Sequence, residues 1–285
     1  MSARPGAECP ERLACGIPVP VLMYHSIATS ATRKFRRFAV EPTEFAAQME
    51  YLNDAGYTPV TAAELAGGRP GDQLPPRPVV LTFDDAYTDF YTAALPVLRE
   101  HGFRATLYVP TAYVGSTTRF NVSLGEENRA VLSWQALADI AAEDIEVAAH
   151  SHAHPQLDRV PAEVISDEVG RSRRLLEDKL GLAVDGFAYP FGYWNSAARA
   201  AVADAGYRYA FAVAELMTAP GDDLLTLPRL TVNAGIGVTG LARLLGRRPT
   251  PASQRSAAVK RVAWRAVRQL VPPVGRDPRE GRPVT

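Results

Sequence analysis

Val79-Val80-Leu81-Thr82-Phe83-Asp84-Asp85 is the stretch on which the reading of this chain turns: strand-favouring residues in an unbroken run that stops on two adjacent carboxylates. A run without polar alternation marks a strand covered on both faces, the kind found in parallel sheets. Parallel strands need crossover segments, and helical patterns flank this one. Upstream, VPVLMYH (19–25) reads as a strand ending at His25. PTEFAAQMEYLNDAGY (42–57) then reads as a helix, with Pro42 at its start, Phe45, Met49 and Leu52 on one face and Gly56 as its stop.

Downstream the alternation continues. A helix is predicted from about Tyr87 to His101, closed by Gly102, followed by the strand ATLYVP (105–110). Residues 111–132 read as a long loop, and Ser133 caps a helix over 133–142. The strand IEVAA (145–149) runs into His150. A charged helix over 161–180, the strand VDGFAYP (184–190), a helix over 196–205 ending at Gly206, and the strand YAFAV (209–213) complete the series, with LPRL suggesting one more strand that ends near Arg229. Six or seven βα units in about 230 residues predict an α/β fold, a distorted or incomplete (β/α) barrel, in preference to a doubly wound sheet. No GxGxxG follows the first strand. In such barrels the working residues sit at the carboxyl ends of the strands, where His25, Asp84-Asp85, His150–His154 and the turn after Tyr189 all fall.

Composition narrows the function. The 285 residues, 47% apolar and 22% charged, suit one barrel or two modest domains. The 23 prolines and 21 glycines are aperiodic, which excludes collagen-like and wholly disordered chains. Cys9 and Cys15 are the only cysteines, so no disulfide framework holds the fold and a reducing compartment is permitted. Residues 1–20 lack an apolar run behind a basic start, and no stretch approaches the ~18 apolar residues of a membrane span. A cytoplasmic location is therefore expected, with any membrane contact peripheral. Arg outnumbers Lys 28 to 3 without a basic recognition helix, which argues against nucleic acid as a partner.

The zero net charge hides an asymmetry. Residues 241–285 hold 11 Arg/Lys against Asp277 and Glu280, leaving 20 basic and 29 acidic residues before them. Within this tail, SAAVKRVAWRAVRQLV (256–271) places Val259, Val262, Ala263, Ala266, Val267 and Leu270 on one side of a helix, with Lys260, Arg261, Arg265 and Arg268 toward the other. Two readings stand: a helix packed on the barrel with a solvated basic face, or an in-plane anchor on an anionic membrane. The expected organisation is an N-terminal extension (1–17), a catalytic domain (18–240) and a basic tail (241–285).

Two groups of side chains carry chemistry. Burying even one carboxylate at the end of an apolar strand is unfavourable by several kcal/mol unless a cation or hydrogen bonds compensate, so Asp84 and Asp85 are either helix caps or partners of a cation. His150-Ser151-His152-Ala153-His154-Pro155 sets three of the five histidines directly after a strand. His150 and His154, four apart, can converge on one ion while His152 points elsewhere; the other reading is a solvated His-rich loop. Two His and one carboxylate with open positions form the ligand set of a catalytic zinc or another divalent metal.

TFDD (82–85), HSHAHP (150–155) and YPFG (189–192) resemble, in order and at workable separations, the first three motifs of the polysaccharide deacetylases, also called carbohydrate esterase family four or the NodB-homology domain. The resemblance covers about residues 18–235. It implies a distorted or incomplete (β/α) barrel that removes an N-acetyl group, as acetate, from an amino sugar in an oligosaccharide, polysaccharide or lipid-linked glycan. It also implies one divalent metal, zinc or another transition metal, held by Asp85, His150 and His154. Asp84 becomes the general base, and Tyr189, Pro190, Phe191 and Gly192 the turn that binds substrate and oxyanion.

Two departures from the family pattern matter. No Arg precedes Pro190 in Asp185-Gly186-Phe187-Ala188-Tyr189, and no His follows His154. The sequence is most similar to the poly-N-acetylglucosamine deacetylase type, whose motifs are circularly shifted, which implies that Leu22-Met23-Tyr24-His25 supplies the acid, His25. Beside an acid, His25 is expected to be charged near neutral pH. Arg229 is a candidate to orient Asp84 in place of the missing Arg. The residues alone also permit His25 as a core histidine and Arg229 as a solvated cation. Tyr24, Tyr87, Tyr189, Phe191, Tyr193 and Trp194 are candidates to stack on sugar rings or to sit in the core. Other functions open to this site are an amide hydrolase on a small non-carbohydrate substrate and a catalytically silent carbohydrate-binding relative.

Overall fold

The computed structural model describes residues 12–13, 16–67 and 74–247, with 250, 252, 256, 259 and 263 beyond them. Ten strands are described: β1 (Val21–Tyr24), β2 (Ser26–Ile27), β3 (Ala39–Val40), β4 (Thr58–Val60), β5 (Pro78–Phe83), β6 (Ala105–Val109), β7 (Ile145–Ala149), β8 (Gly186–Ala188), β9 (Tyr209–Phe211) and β10 (Leu230–Thr231). Seven α-helices lie between and after them: α1 (Pro42–Asp54), α2 (Ala62–Gly67), α3 (Leu95–Glu100), α4 (Trp134–Ala141), α5 (Ala162–Leu180), α6 (Ser196–Asp204) and α7 (Gly237–Leu245).

All the ladders are parallel. The main sheet runs β10-β1-β5-β6-β7-β8-β9, with β4 on β5. The single parallel bridge Phe211–Leu227 brings the segment before β10 back toward β9, so the sheet curls into an incomplete (β/α) barrel. The strands read as continuous apolar runs because both faces are covered, and β1, β5 and β6 are buried at every position.

Strand parity divides the core. Val79, Leu81 and Phe83 of β5 belong with Leu107, Val109, Val147 and Ala149 in the cluster under the helices. Val80 of β5 belongs with Val21, Tyr108, Ala148 and Phe211 in the cluster inside the barrel. Continuing the inward parity one or two residues past each strand sends the side chains of His25, Asp84 and His150 to the carboxyl end of the barrel. The opposite end is closed by Glu146, whose carboxylate accepts hydrogen bonds from the Thr106 hydroxyl (2.9 Å), the Ala63 N–H (3.0 Å) and the Tyr209 hydroxyl. Gly186 is required there because a Cβ would run into the Tyr209 ring.

Most predicted elements fall within a few residues of the observed ones, and Ser133 caps α4 by accepting from the Ala136 N–H at 3.2 Å. The helix expected from Tyr87 begins instead as a wide turn over Phe90–Ala94 in which the Leu95 N–H reaches the Phe90 carbonyl. Pro96 at the start of α3 lacks an N–H, which loosens the normal ladder at that point. Helix α7 was not anticipated, and it runs across position 240 and packs against α1. The Glu44 carboxylate accepts from the Gly237 N–H (2.7 Å) at its start.

No helix among the described residues is long and apolar enough to cross a membrane. Cys9, Cys15 and most of 256–271 lie outside the described residues. Of that stretch, Ser256, Val259 and Ala263 are described, helical and exposed.

Candidate active site

The carboxyl ends of β1, β5, β7 and β8 surround a cavity of ≈ 330 Å³. His25, Asp84, Asp85, His150, His154, Phe191 and Gly192 line it, so the structure brings most of the sequence-predicted site residues together. Of the seven non-glycine residues with positive φ among the described residues, Asp85, His154, Phe191 and Glu215 line this cavity, while Ala86 and Ser151 adjoin lining residues. Such backbone is held only where the surroundings impose it, and strain of this kind concentrates at functional sites.

Asp84 and Asp85 are neighbours in sequence with opposite environments. Asp84 meets Arg229 fork to fork: the two guanidinium nitrogens donate to Oδ1 at 2.7 Å and Oδ2 at 2.8 Å. Arg229 is fully buried, sits over the Tyr108 ring and also reaches the Thr82 hydroxyl at 3.3 Å. Burial alone would raise the Asp84 pKa, but the charge and hydrogen bonds of Arg229, helped by His150 and His25, hold it down at about 2. Arg229 is therefore a buried partner of Asp84 and not a solvated cation.

Asp85 has no cation of its own. Burial, then the charge of Asp84, pushes its pKa up to about 7. Its Oδ2 accepts from the Tyr87 hydroxyl at 2.7 Å, and Asn121 donates to that hydroxyl at 2.8 Å. Its Oδ1 is buried with no hydrogen-bond partner among the described residues. That oxygen faces His154 Nε2 at 3.4 Å and His150 Nε2 at 3.6 Å, and the two Nε2 atoms are 3.2 Å apart. Burial lowers the pKa of both imidazoles, which favours the neutral rings that can ligate a cation. His150 Nδ1 lies 2.8 Å from the Ala188 carbonyl, which fixes the proton on Nδ1 and leaves Nε2 free to ligate. An orphaned carboxylate oxygen opposite two neutral ring nitrogens, all within 4.8 Å, fits a divalent cation.

The turn that carries the histidines is built by groups the sequence did not reveal. Glu168, on the buried face of α5, accepts from the N–H groups of His152 (2.9 Å) and Ala153 (2.7 Å). The Ser151 hydroxyl accepts from the His154 N–H at 3.0 Å. His152 turns away to Thr111 at 2.9 Å, as the spacing predicted. In the sequence, the clue to Glu168 was an acid on the same stripe as Ile165, Val169, Ser172 and Leu176.

One expectation is corrected, and one choice left open by the sequence is decided. His25 lines the cavity with its ring 4.8 Å from Phe38, yet burial outweighs the nearby Asp84 charge and pushes its pKa down to about 4, so it is neutral at rest near pH 7. Of the candidate stacking aromatics, Tyr24, Tyr87 and Tyr189 are core. Tyr24 donates to Gln48 (2.9 Å), Tyr87 to Asp85, and Tyr189 to the Leu225 carbonyl (3.0 Å). Trp194 packs beside Tyr189. Phe191 and Tyr193 do line the cavity, nearly parallel with ring centres 6.3 Å apart. Tyr189 and Pro190 form the base of the turn and are buried behind it, while a Cβ at Gly192 would run into Val213.

A family model described as polysaccharide deacetylase matches residues 71–210. Among curated sequences the chain is similar to YxkH of Bacillus subtilis, which is named for the same family, at 27% identity over 76% of this chain and 72% of that one. It is also similar to the poly-beta-1,6-N-acetyl-D-glucosamine N-deacetylase of Staphylococcus epidermidis, at 25% identity over 72% of this chain and 71% of that one. Among solved structures, the Streptococcus pyogenes deacetylase PplD in complex with acetate shares the fold with a TM-score of 0.70 at 24% identity, over 81% of this chain and 99% of that one.

Proposed function

We propose that this chain is a member of the polysaccharide deacetylase family and a metal-dependent hydrolase that removes the N-acetyl group of an amino sugar within a glycan, releasing acetate. The observation that carries this reading is the split between two adjacent carboxylates, Asp84 held ionised by Arg229 and Asp85 held near neutrality opposite two uncharged imidazoles. Paired acids driven apart by their surroundings are the mark of divided roles. Asp85, His150 and His154 would hold the cation, and two imidazoles with one carboxylate suit zinc. Once bound there, it would supply Lewis-acid polarisation of the amide carbonyl and an acidified water.

The protein's own groups do the rest. Asp84, ionised at neutral pH, accepts a proton from the attacking water, and Arg229 keeps its carboxylate aimed. The Phe191 backbone N–H donates to the developing oxyanion at the turn shaped by Tyr189, Pro190 and Gly192. His25, uncharged at rest, takes up a proton from solvent as negative charge develops beside it and passes it to the leaving nitrogen, while Asp84 returns its proton to solvent. Phe191 and Tyr193 offer ring faces to the sugar. The catalytic domain comprises residues 18–240 with the remainder of α7. From its sequence alone, 256–271 is assigned a weak, salt-sensitive contact with an anionic membrane surface. Equal pelleting with anionic vesicles of the full chain and a chain ending at Arg255 would remove that assignment.

Mass spectrometry of products from metal-loaded protein, incubated with a panel of N-acetylated oligosaccharides and lipid-linked sugars, tests the function. Loss of an acetyl group with matching acetate is expected. Hydrolysis of small acylated amines alone would replace the glycan by a smaller substrate, and no amide hydrolysis by metal-loaded protein would overturn the reading.

A further inference from the structure

One feature of the cavity mouth is not used by the chemistry above. Thr32-Arg33-Lys34-Phe35-Arg36-Arg37-Phe38 places four cations in five residues, although residues 1–240 as a whole carry 20 basic and 29 acidic residues. Phe35, Arg37 and Phe38 line the cavity, and all four cationic side chains are exposed. None of the four makes an ion pair among the described residues, whereas buried Arg229 is paired with Asp84 and half-buried Arg129 with Asp89 and Glu126. Glu215, the lining carboxylate outside the Asp pair, is engaged by the Thr231 N–H (3.3 Å) and hydroxyl (2.5 Å).

The loop that presents these cations is fixed. Arg129 donates to the Ser30 carbonyl at 2.7 Å, the Thr32 hydroxyl to the Leu124 carbonyl at 2.7 Å, and Lys34 Nζ to the Ser123 carbonyl at 3.1 Å. The Arg37 guanidinium lies 4.4 Å from the centre of the Phe38 ring, and that ring packs on His25 at 4.8 Å. A guanidinium stacked on an aromatic face keeps its donor edge free and loses little freedom on binding, and its planar fork matches phosphate oxygens.

We propose that Arg37, at the mouth of the cavity and flanked in the same segment by the exposed Arg33, Lys34 and Arg36, forms the centre of a phosphate subsite, so that the substrate is an N-acetylated amino sugar bearing a phosphate beside the reacting residue. This rests on the deacetylase reading and narrows its substrate class. The phosphate has two possible sources, a phosphodiester within a glycan polymer or the diphosphate that links a sugar to a prenyl lipid; the chemistry of recognition is the same.

The test uses zinc-loaded full chain and four probes: di-N-acetylchitobiose, its 1-phosphate, a short polymer of N-acetylglucosamine 1-phosphate, and N-acetylglucosamine on a short-chain prenyl diphosphate. Binding by calorimetry and acetate release are measured at about 0.01 M and about 1 M salt. Chitobiose phosphate should bind about tenfold or more tighter than chitobiose at low salt, with the gap closing at high salt. The R36Q/R37Q variant should bring that ratio toward one. A general folding defect would lower both affinities and leave the ratio standing, which would count against the subsite. Preference for the prenyl diphosphate over the polymer assigns the source to lipid, and the reverse assigns it to polymer. Equal binding of chitobiose and its phosphate by wild-type protein overturns the proposal even if both are deacetylated. Absence of acetate from all four probes would instead sink the deacetylase reading, with the binding ratio still deciding the subsite.

Discussion

Arg229 and Asp84 form a fully buried two-point pair, 2.7 and 2.8 Å long, between residues 145 positions apart. Removing one member of such a pair leaves a buried charge without its partner, which is unfavourable by about 3–5 kcal/mol. Arg229→Met is therefore expected to lower the melting temperature strongly, and the double change with Asp84→Asn to recover part of the loss. Calorimetric melting of the two variants checks this; a double variant no more stable than Arg229→Met would deny the coupling.

Asp84→Asn should retain metal and lose turnover by about 10²–10⁴-fold, since it keeps the shape of the side chain and removes the base. His25→Ala should lose turnover on a similar scale with metal retained, and added imidazole should restore part of it. Wild-type rates for His25→Ala between about pH 6 and pH 8 would move the proton donor elsewhere.

Metal binding should release protons in a pH-dependent way. Asp85, with its pKa pushed up to about 7, is mostly protonated at about pH 6 and mostly ionised at about pH 8, and burial lowers the pKa of both His150 and His154. Zinc titrated into metal-free protein should thus release more protons at the lower pH than at the higher. Calorimetry in buffers of different ionisation enthalpy measures this, and equal release at both values would contradict the assigned state of Asp85.

Tyr87 and Asn121 hold Asp85 from behind through a two-step hydrogen-bond chain of 2.7 and 2.8 Å. Tyr87→Phe removes only the hydroxyl, and loss of a partner behind a ligand typically weakens metal binding by about 10–100-fold. Competition with a zinc indicator reads the affinity directly. An unchanged affinity would make Tyr87 a packing residue.

The same chain marks the limit of what the sequence discloses. The apolar runs, the adjacent acids and the His four apart are local signals, and they located the barrel and the candidate metal triad because each group follows directly on the carboxyl end of a strand. Asn121 lies in a segment that reads as plain loop, and its bond to Tyr87 spans 34 positions with no periodic trace. Glu168 supports the His turn from a helix that reads as charged along its length, where one more acid on the buried stripe stands out little. The ring edge of Tyr24 or Tyr189 looks the same in sequence whether it faces a sugar or the core; only the partners Gln48 and Leu225 decide it. Helix α7 opens with Gly237 and contains Gly240, residues that read as breakers until Glu44 and packing on α1 are present.

The most direct test of the account is a zinc titration of chelated, dialysed protein while acetate release from an N-acetylglucosaminyl oligosaccharide is followed. Activity should be absent after chelation, rise in proportion to added zinc and level off at one equivalent, with no recovery in a His150→Ala/His154→Ala variant. Undiminished acetate release from the chelated protein, or full recovery by the double variant, would contradict the site described for Asp85, His150 and His154.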